Sequence, residues 1–264
     1  MAKILRQPAY KKKLGQHHLV SGALCRPLLE FLRPRGLPVV EIGPGAGVLT
    51  RELVYAGASV TALELDLEWA FVTRRAVPDA RVVVMDALGF PWETLPPPAL
   101  VAGNLPFAVA TPLLSRVLTA ASYDPSRLPR IGVMVQREVA ERLVATPSTP
   151  AYGALSVLVQ ATSSARILGH VAPGSFRPPP KVAASFVAFE PRRPPIEPER
   201  LPDLMKLVHQ AFSQRRKTLR NSLGSTWGKP EVTSALEAAG IDPGRRAETL
   251  DLDAFVRLLH HRPV

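Results

Sequence analysis

The chain contains a single cysteine, Cys25, among its 264 residues. An internal disulfide is therefore excluded, and one thiol suits a reducing compartment. No run approaches the roughly 20 apolar residues that a membrane-spanning helix needs. The start, MAKILRQPAYKKKLGQ, has no apolar core of signal-peptide length. These absences lead to the expectation of a soluble, cytoplasmic protein that does not span a membrane, and a monomer is expected. Internal repeats and low-complexity tracts are also missing, apart from clusters of proline. Acidic residues are scarce in two places: none precedes Glu30, and none lies between Lys206 and Arg220, a stretch with five cations.

What is present is an apolar fraction of 46%, ordinary for a globular core and enough for one large domain plus a small one. Lys and Arg number 33 against 22 acids, a formal charge of +11. Such an excess points to a polyanionic partner, with nucleic acid first and a membrane surface second. Lys11, Lys12 and Lys13 sit in an amino-terminal arm that either contacts phosphates or is a solvated tail. The adjacent His17 and His18 have no cysteine nearby and no third ligand at a recognisable spacing, so no metal site is expected.

The stretch Val101-Ala102-Gly103-Asn104-Leu105-Pro106-Phe107 organises the rest. Leu100 to Ala102 read as a short buried strand, and Pro106 cannot donate a ladder hydrogen bond, so Asn104 is presented at the strand's carboxyl end. In an open α/β sheet ligands bind at that edge. The Asn104 side-chain oxygen and the Leu105 carbonyl can accept from an exocyclic amine, and Phe107 offers a face for a base. The plainer alternative is an Asn-x-Pro turn with a core phenylalanine.

Upstream, Val39 to Ile42 form a buried parallel strand that runs into Gly43-x-Gly45-x-Gly47 and a helix through about Tyr55, the start of a βαβ unit. A strand from Ser59 to Leu63 delivers Glu64 about 20 residues beyond the loop, where an acid can bind ribose hydroxyls. The dinucleotide fingerprint needs a third glycine where Val48 stands, so the pattern points to a nucleoside without phosphates. Arg81 to Met85 form a third strand leading to Asp86 and Ala87, which either hold an adenine amine or simply cap the next turn. Helices are expected from Leu24 to Leu32, from Thr111 to Leu118 and from Arg137 to Val144, with Ile131 to Val135 as a fifth strand. Leu155 to Ala161 and Ser185 to Phe189 read as two more strands, antiparallel to each other.

Between those two lies Val171 to Val182, whose Pro178-Pro179-Pro180 run makes a stiff loop. Phe176 in it is either a second stacking face for the base or a buried side chain of a proline linker. After Glu190-Pro191-Arg192-Arg193-Pro194 the composition turns helical, giving a domain of 1–193 followed by a small all-α domain of 194–264. Leu201, Leu204, Leu207, Val208, Ala211 and Phe212 form an apolar helical face, followed by the cations Arg215, Arg216, Lys217 and Arg220, a surface suited to phosphates.

Taken together, Leu14-Gly15-Gln16, Glu41-Ile42-Gly43-Pro44-Gly45, Glu64-Leu65-Asp66, Asp86-Ala87, Asn104-Leu105-Pro106-Phe107, Gln136-Arg137-Glu138-Val139, Phe176 to Val182 and Arg215 to Leu223 resemble the KsgA-type ribosomal RNA adenine dimethyltransferases, nearly end to end. That resemblance implies a Rossmann-like class I methyltransferase domain with a seven-stranded, mostly parallel sheet. It also implies S-adenosylmethionine as methyl donor and, as substrate, two adjacent adenines of the 3′-terminal hairpin of small-subunit rRNA on the assembling 30S subunit. The cofactor set carried over is His17, Leu19, Gly43, Gly45, Glu64, Asp86, Ala87 and Asn104, with the methionine part at Gly43, the ribose on Glu64 and the adenine on Asp86. The catalytic set is Asn104, Leu105, Pro106, Phe107 and Phe176, the target base lying between the two rings. The RNA-binding set is Lys11, Lys12, Lys13, Arg177, Lys181, Arg215, Arg216, Lys217 and Arg220. The chain departs from the family at His17-His18, where members have Asn-Phe, and at Phe107, where bacterial members usually have Tyr. A macrolide-resistance type enzyme acting on large-subunit rRNA and a binding-only assembly factor that keeps the fold are the rival readings.

Overall fold

The computed structural model describes residues 8, 10, 16–214 and 216–263. In chain order the elements are β1 (His18–Leu19), α1 (Arg26–Leu32), β2 (Pro38–Ile42), α2 (Val48–Tyr55), β3 (Ser59–Glu64), α3 (Leu67–Ala76), β4 (Arg81–Val84), β5 (Leu100–Asn104) and α4 (Ala110–Tyr123). They continue with β6 (Arg130–Gln136), α5 (Arg137–Leu143), α6 (Ala154–Thr162), β7 (Ser163–Val171), β8 (Phe176–Arg177), β9 (Ala184–Pro191), α7 (Leu201–Phe212), α8 (Leu219–Trp227), α9 (Lys229–Ala238) and α10 (Leu252–His260). None of the described helices is long and apolar enough to cross a membrane.

By compactness the chain divides into two units, Met1–Ala140 with Ala165–Pro191, and Glu141–Ser164 with Arg192–Val264. The first is built on a seven-stranded sheet of order β4-β3-β2-β5-β6-β9-β7. The five strands from β4 to β6 are mutually parallel, and β9 runs antiparallel to β6. Continuous apolar runs such as Leu100-Val101-Ala102, wholly buried, are what a parallel sheet covered on both faces demands. The order steps outward from β2 in one direction to β3 and β4 and in the other to β5 and β6, so the carboxyl ends of β2 and β5 flank the point where it reverses.

The second unit has its own core, in which Leu201, Leu204, Leu207, Val208 and Ala211 of α7 pack with Leu219, Leu223, Leu236, Phe255 and Leu258. Asp251 caps α10, its side chain accepting from the Ala254 N–H at 2.8 Å. Tyr152, Val157 and Ala161 belong to the same core, and the Tyr152 hydroxyl donates to the Leu250 carbonyl at 2.9 Å. Residues 141–164 therefore fold with this unit, whereas the boundary at 193 assigned them to the first domain.

That segment also corrects one element. Leu155 to Ala161, expected as a strand, lie in α6, and the strand is β7, which follows it. The helix is buried nearly all round, from Leu155 to Val159 and again at Ala161 and Thr162. An apolar run of that length has no period to separate a buried helix from a buried strand. The pairing partner of β9 on this side is consequently β7.

Candidate active site

The residues of the Asn104 motif stand at the carboxyl edge of the sheet. Asn104 is the last residue of β5 and lies in register with Met134 of β6, while Gly103 lies beside Ile42 of β2. A side chain at 103 would put its Cβ 2.7 Å from the Ile42 carbonyl, so glycine is the residue that lets the two strand ends close up. Beside them, Gly43, Gly45 and Gly47 have φ of +68°, +54° and +76°. The turn out of β2 thus needs left-handed backbone three times, which glycine adopts without steric cost.

Glu64 at the end of β3 is tied into that turn. Its Oε2 accepts from the Gly45 N–H at 3.1 Å and its Oε1 from the Asp66 N–H at 3.0 Å. Burial pushes its carboxyl above the usual carboxylate range. Asp66 caps α3 through the Glu68 N–H and also receives the Gln16 amide at 3.2 Å. Glu41, two residues before the glycine turn, is buried completely, and burial pushes it up to about 8. Its Oε2 has no hydrogen-bond partner among the described residues.

Over this edge lies the Gln16–Leu19 segment. The Asn104 Nδ2 donates to the His17 carbonyl at 2.7 Å, which fixes the carboxamide and leaves its Oδ1 as the open acceptor. His17 in turn donates from Nδ1 to the Pro178 carbonyl at 2.7 Å, and its ring lies 5.3 Å from that of Phe107, tilted by 32°. The His18 ring meets Trp69 edge-on at 4.2 Å and 84°, with Tyr10 at 5.3 Å on another side. It sits on the glycine turn: a Cβ at Gly45 would stand 2.6 Å from His18 Nε2. Burial pushes His18 down to about 4, so the imidazole is neutral at physiological pH. The described residues hold no group of three or more His, Cys, Asp or Glu able to share a metal ion.

A pocket opens at this edge, lined by Gly43, Glu64, Asn104, Leu105, Pro106 and Phe107 together with Gln16, His17, His18, Leu65, Ala108 and Val109. Six of the expected site residues are thus brought together with His17. Leu19, the buried end of the Gln16–Leu19 segment, belongs to the core, and Gly45 holds the turn. Leu65, 55% exposed, and Gln16 had escaped notice as site residues, although an exposed leucine directly after the strand-end acid is a signal that could have found the first.

Three expectations fare differently. Phe176 does not line the pocket; it is 2% exposed and belongs to the main core cluster, so of the two readings the buried side chain is the one observed. The cause is the pairing of β8 with β1, Phe176 opposite Leu19 and Arg177 opposite His18, which alternates Phe176 inward and Arg177 outward. The proline loop is therefore a clamp on the Gln16–Leu19 segment. Asp86 is exposed and accepts from the Leu88 N–H at 2.9 Å, the capping alternative, and it stands outside this pocket. Lys11, Lys12, Lys13 and Arg215 lie outside the described residues, whereas Arg177, Lys181, Arg216, Lys217 and Arg220 are all exposed.

The profile described as Ribosomal RNA adenine dimethylase matches residues 8–261. The chain belongs to that family. The Ribosomal RNA small subunit methyltransferase A of Phenylobacterium zucineum is 41% identical over 254 residues, covering 94% of this chain and 86% of the relative. A dimethyladenosine transferase from Plasmodium falciparum superposes with a TM-score of 0.75 at 22% identity, covering 92% of this chain and 96% of that one, a likeness of fold. The 23S rRNA methyltransferase ErmE superposes at 0.63 with 26% identity, covering 91% and 96%. With membership the class I methyltransferase fold, S-adenosylmethionine as methyl donor and adenine in ribosomal RNA as acceptor all stand. The residues present fit that donor. A glycine turn abuts the Asn104 backbone, where a Cβ at Gly43 would lie 3.6 Å from the Asn104 carbonyl, and a strand-end carboxylate is followed by an exposed leucine.

Proposed function

We propose that this chain dimethylates N6 of two adjacent adenines in the 3′-terminal hairpin of small-subunit rRNA, acting in the cytoplasm as a monomer on the assembling 30S subunit. The observation that carries the chemistry is the anchored Asn104 carboxamide. With Nδ2 committed to the His17 carbonyl, Oδ1 and the Leu105 carbonyl are two acceptors with no internal partner among the described residues, side by side in one pocket. Two oxygens drawing on both hydrogens of an exocyclic amine turn its lone pair out of conjugation and toward the methyl donor. S-adenosylmethionine, when bound, supplies a methyl group on a positively charged sulfur.

Catalysis here is chiefly positioning, because the nucleophile needs orientation and not a strong base. Phe107 gives the flipped base a face, and Pro106 keeps the turn after the strand rigid. Glu64 is the group for the ribose hydroxyls, since its carboxylate lines the pocket and is held at the strand end by backbone N–H groups that include those of Gly45 and Asp66. We assign Gly43, Gly45, Leu19 and His17 to the methionine end and Asp86 with Ala87 to the adenine. Phe176 acts in this assignment through the clamp on His17 and His18, supporting the pocket from behind. The first domain carries the methyl transfer and the helical one binds RNA through Arg215, Arg216, Lys217 and Arg220, with Lys11, Lys12, Lys13, Arg177 and Lys181 as further phosphate contacts.

Small-subunit rRNA is preferred to large-subunit rRNA because the curated relative sharing 41% of residues carries the small-subunit name, against 26% for the 23S enzyme. A labelled-methyl transfer assay tests this directly. Incorporation into unmethylated small subunits, mapped to adjacent adenines, supports it. Incorporation into naked large-subunit rRNA instead, or none into either, overturns it.

A further inference from the structure

At the amino ends of the parallel strands, away from the Asn104 pocket, the first unit has a second concavity of about 410 Å³. Arg33, Arg130 and Arg166 all line it, with Phe31 between them and Glu30 and Glu190 at its wall. The acids do not neutralise it: Glu30 is already paired with Arg26 at 2.7 Å, and none of the three lining arginines has an ion-pair partner among the described residues. Two of the guanidinium groups are held in place. Arg166 lies 5.2 Å over the Phe31 ring, and Arg130 donates from Nη1 to the Phe31 carbonyl at 3.4 Å. The third, Arg33, stands at the left-handed cap of α1 with φ +46°, where glycine is the residue of least strain. A cation is therefore kept there at a local backbone cost.

We propose that this cleft is a phosphate-binding subsite that takes the sugar–phosphate backbone of the RNA substrate at a distance from the target base. Guanidinium forks match phosphate oxygens bidentately, and three of them converging without a carboxylate partner repel one another until an anion enters. The volume lies within the range of built ligand sites, about 300–1,000 Å³. Arg130 precedes Met134 by four residues, and Met134 is in register with Asn104. At about 3.3 Å per strand residue the cleft lies roughly 13 Å along the sheet from that level. It would therefore engage a part of the RNA other than the flipped nucleotide.

This inference rests on the RNA-substrate reading, and the test separates the two. The full chain and its R33G/R166Q variant are titrated with a 3′ fragment of small-subunit rRNA over a salt series, alongside titration with inorganic phosphate. Arg33→Gly removes a charge while relaxing the left-handed cap, so the single variant serves should the double one unfold early. The expected result is RNA binding weakened about five- to tenfold at low salt, with the slope of log K on log salt shallower by about 0.7–0.9 for each phosphate lost. Under the same expectation kcat for methyl transfer at saturating RNA is unchanged and KM rises. Unchanged affinity and slope in both variants, with the native chain binding RNA, would overturn the subsite alone. Inorganic phosphate binding that the variants lose while RNA affinity stays fixed would make it a free-anion site and overturn the RNA assignment. Failure of the native chain to bind the fragment at all would remove the RNA reading and the subsite together.

Discussion

The two units hold their functional groups by opposite means. In the first, the decisive bonds join residues far apart in the chain: Asn104 to His17, His17 to Pro178, and Gln16 to Asp66. In the second, Arg216, Lys217 and Arg220 stand exposed at and near the start of α8, with no ion pairs among the described residues. The difference follows from what each must do. Aligning a lone pair on a methyl donor tolerates displacements well under an ångström, so the pocket is over-determined by tertiary contacts. In the proposed assignment the second unit neutralises phosphates, which needs charge density and little geometry, so exposed cations at and before the start of one helix suffice.

The largest effect expected from that contrast is at Asn104. Asn104→Ala should lower kcat for methyl transfer by at least a hundredfold, the scale of losing a preorganised polar contact to the reacting group, a far larger loss than calorimetry shows in cofactor affinity. Turnover near the native rate would withdraw the role given to the carboxamide. Next is Phe107→Ala, which should weaken productive binding of the target by about 10- to 100-fold, from the roughly 1–3 kcal/mol of a stacked base, and be restored by Tyr. Restoration by Leu as well would show that bulk and not a π-face is needed.

A smaller, graded change is expected in the second unit. Neutralising Arg215 and Arg216 should weaken RNA binding severalfold and flatten its salt dependence, and adding Lys217 and Arg220 should deepen the loss nearly additively. A single dominant residue would mean geometry matters there too and the contrast is misdrawn.

The smallest effects concern stability and pH. Glu41 is pushed by burial from its ordinary 4.5 up to about 8, so its contribution is fully present below pH 4.5 and is lost as pH rises through 8. Glu41→Gln should therefore gain on the native chain at pH 8 relative to pH 5, by a few degrees in Tm at about 2–4 °C per kcal/mol. His18 is shifted the other way, from 6.5 down to about 4, so its contribution is present above pH 6.5 and is lost as pH falls through 4. Replacing it with Phe should keep the edge contact with Trp69 and raise Tm relative to the native chain at pH 4.5 but not at pH 7. Parallel Tm curves for either pair would mean these groups are not buried as described.

Much of the first unit could be read from residue order alone. The glycine turn after β2, the acid ending β3 and the Asn-Leu-Pro-Phe stop after β5 are local patterns, each dictated by backbone freedom or by a missing donor. One reading went astray and one stayed open, for the same reason. Leu155 to Ala161 and Phe176 are apolar residues whose partners lie elsewhere in the chain, and apolarity states that a side chain is buried without stating against what. The clamp formed by β1 and β8 was invisible for the same reason, since two-residue strands have no periodicity.

The sequence by itself determined that this is a basic α/β protein with a nucleoside-binding edge, a strand-end amide and a cationic helical tail, because each of these is written in contiguous residues. Tertiary structure alone decided that the carboxamide of Asn104 is aimed by a carbonyl 87 residues upstream. It also decided that the proline loop pairs with the His18–Leu19 strand and buries Phe176, and that residues 141–164 fold with the helices that follow Pro191. Those outcomes depend on which surfaces meet when the chain closes, and hydrogen-bond direction and burial are properties of pairs that a linear order does not specify.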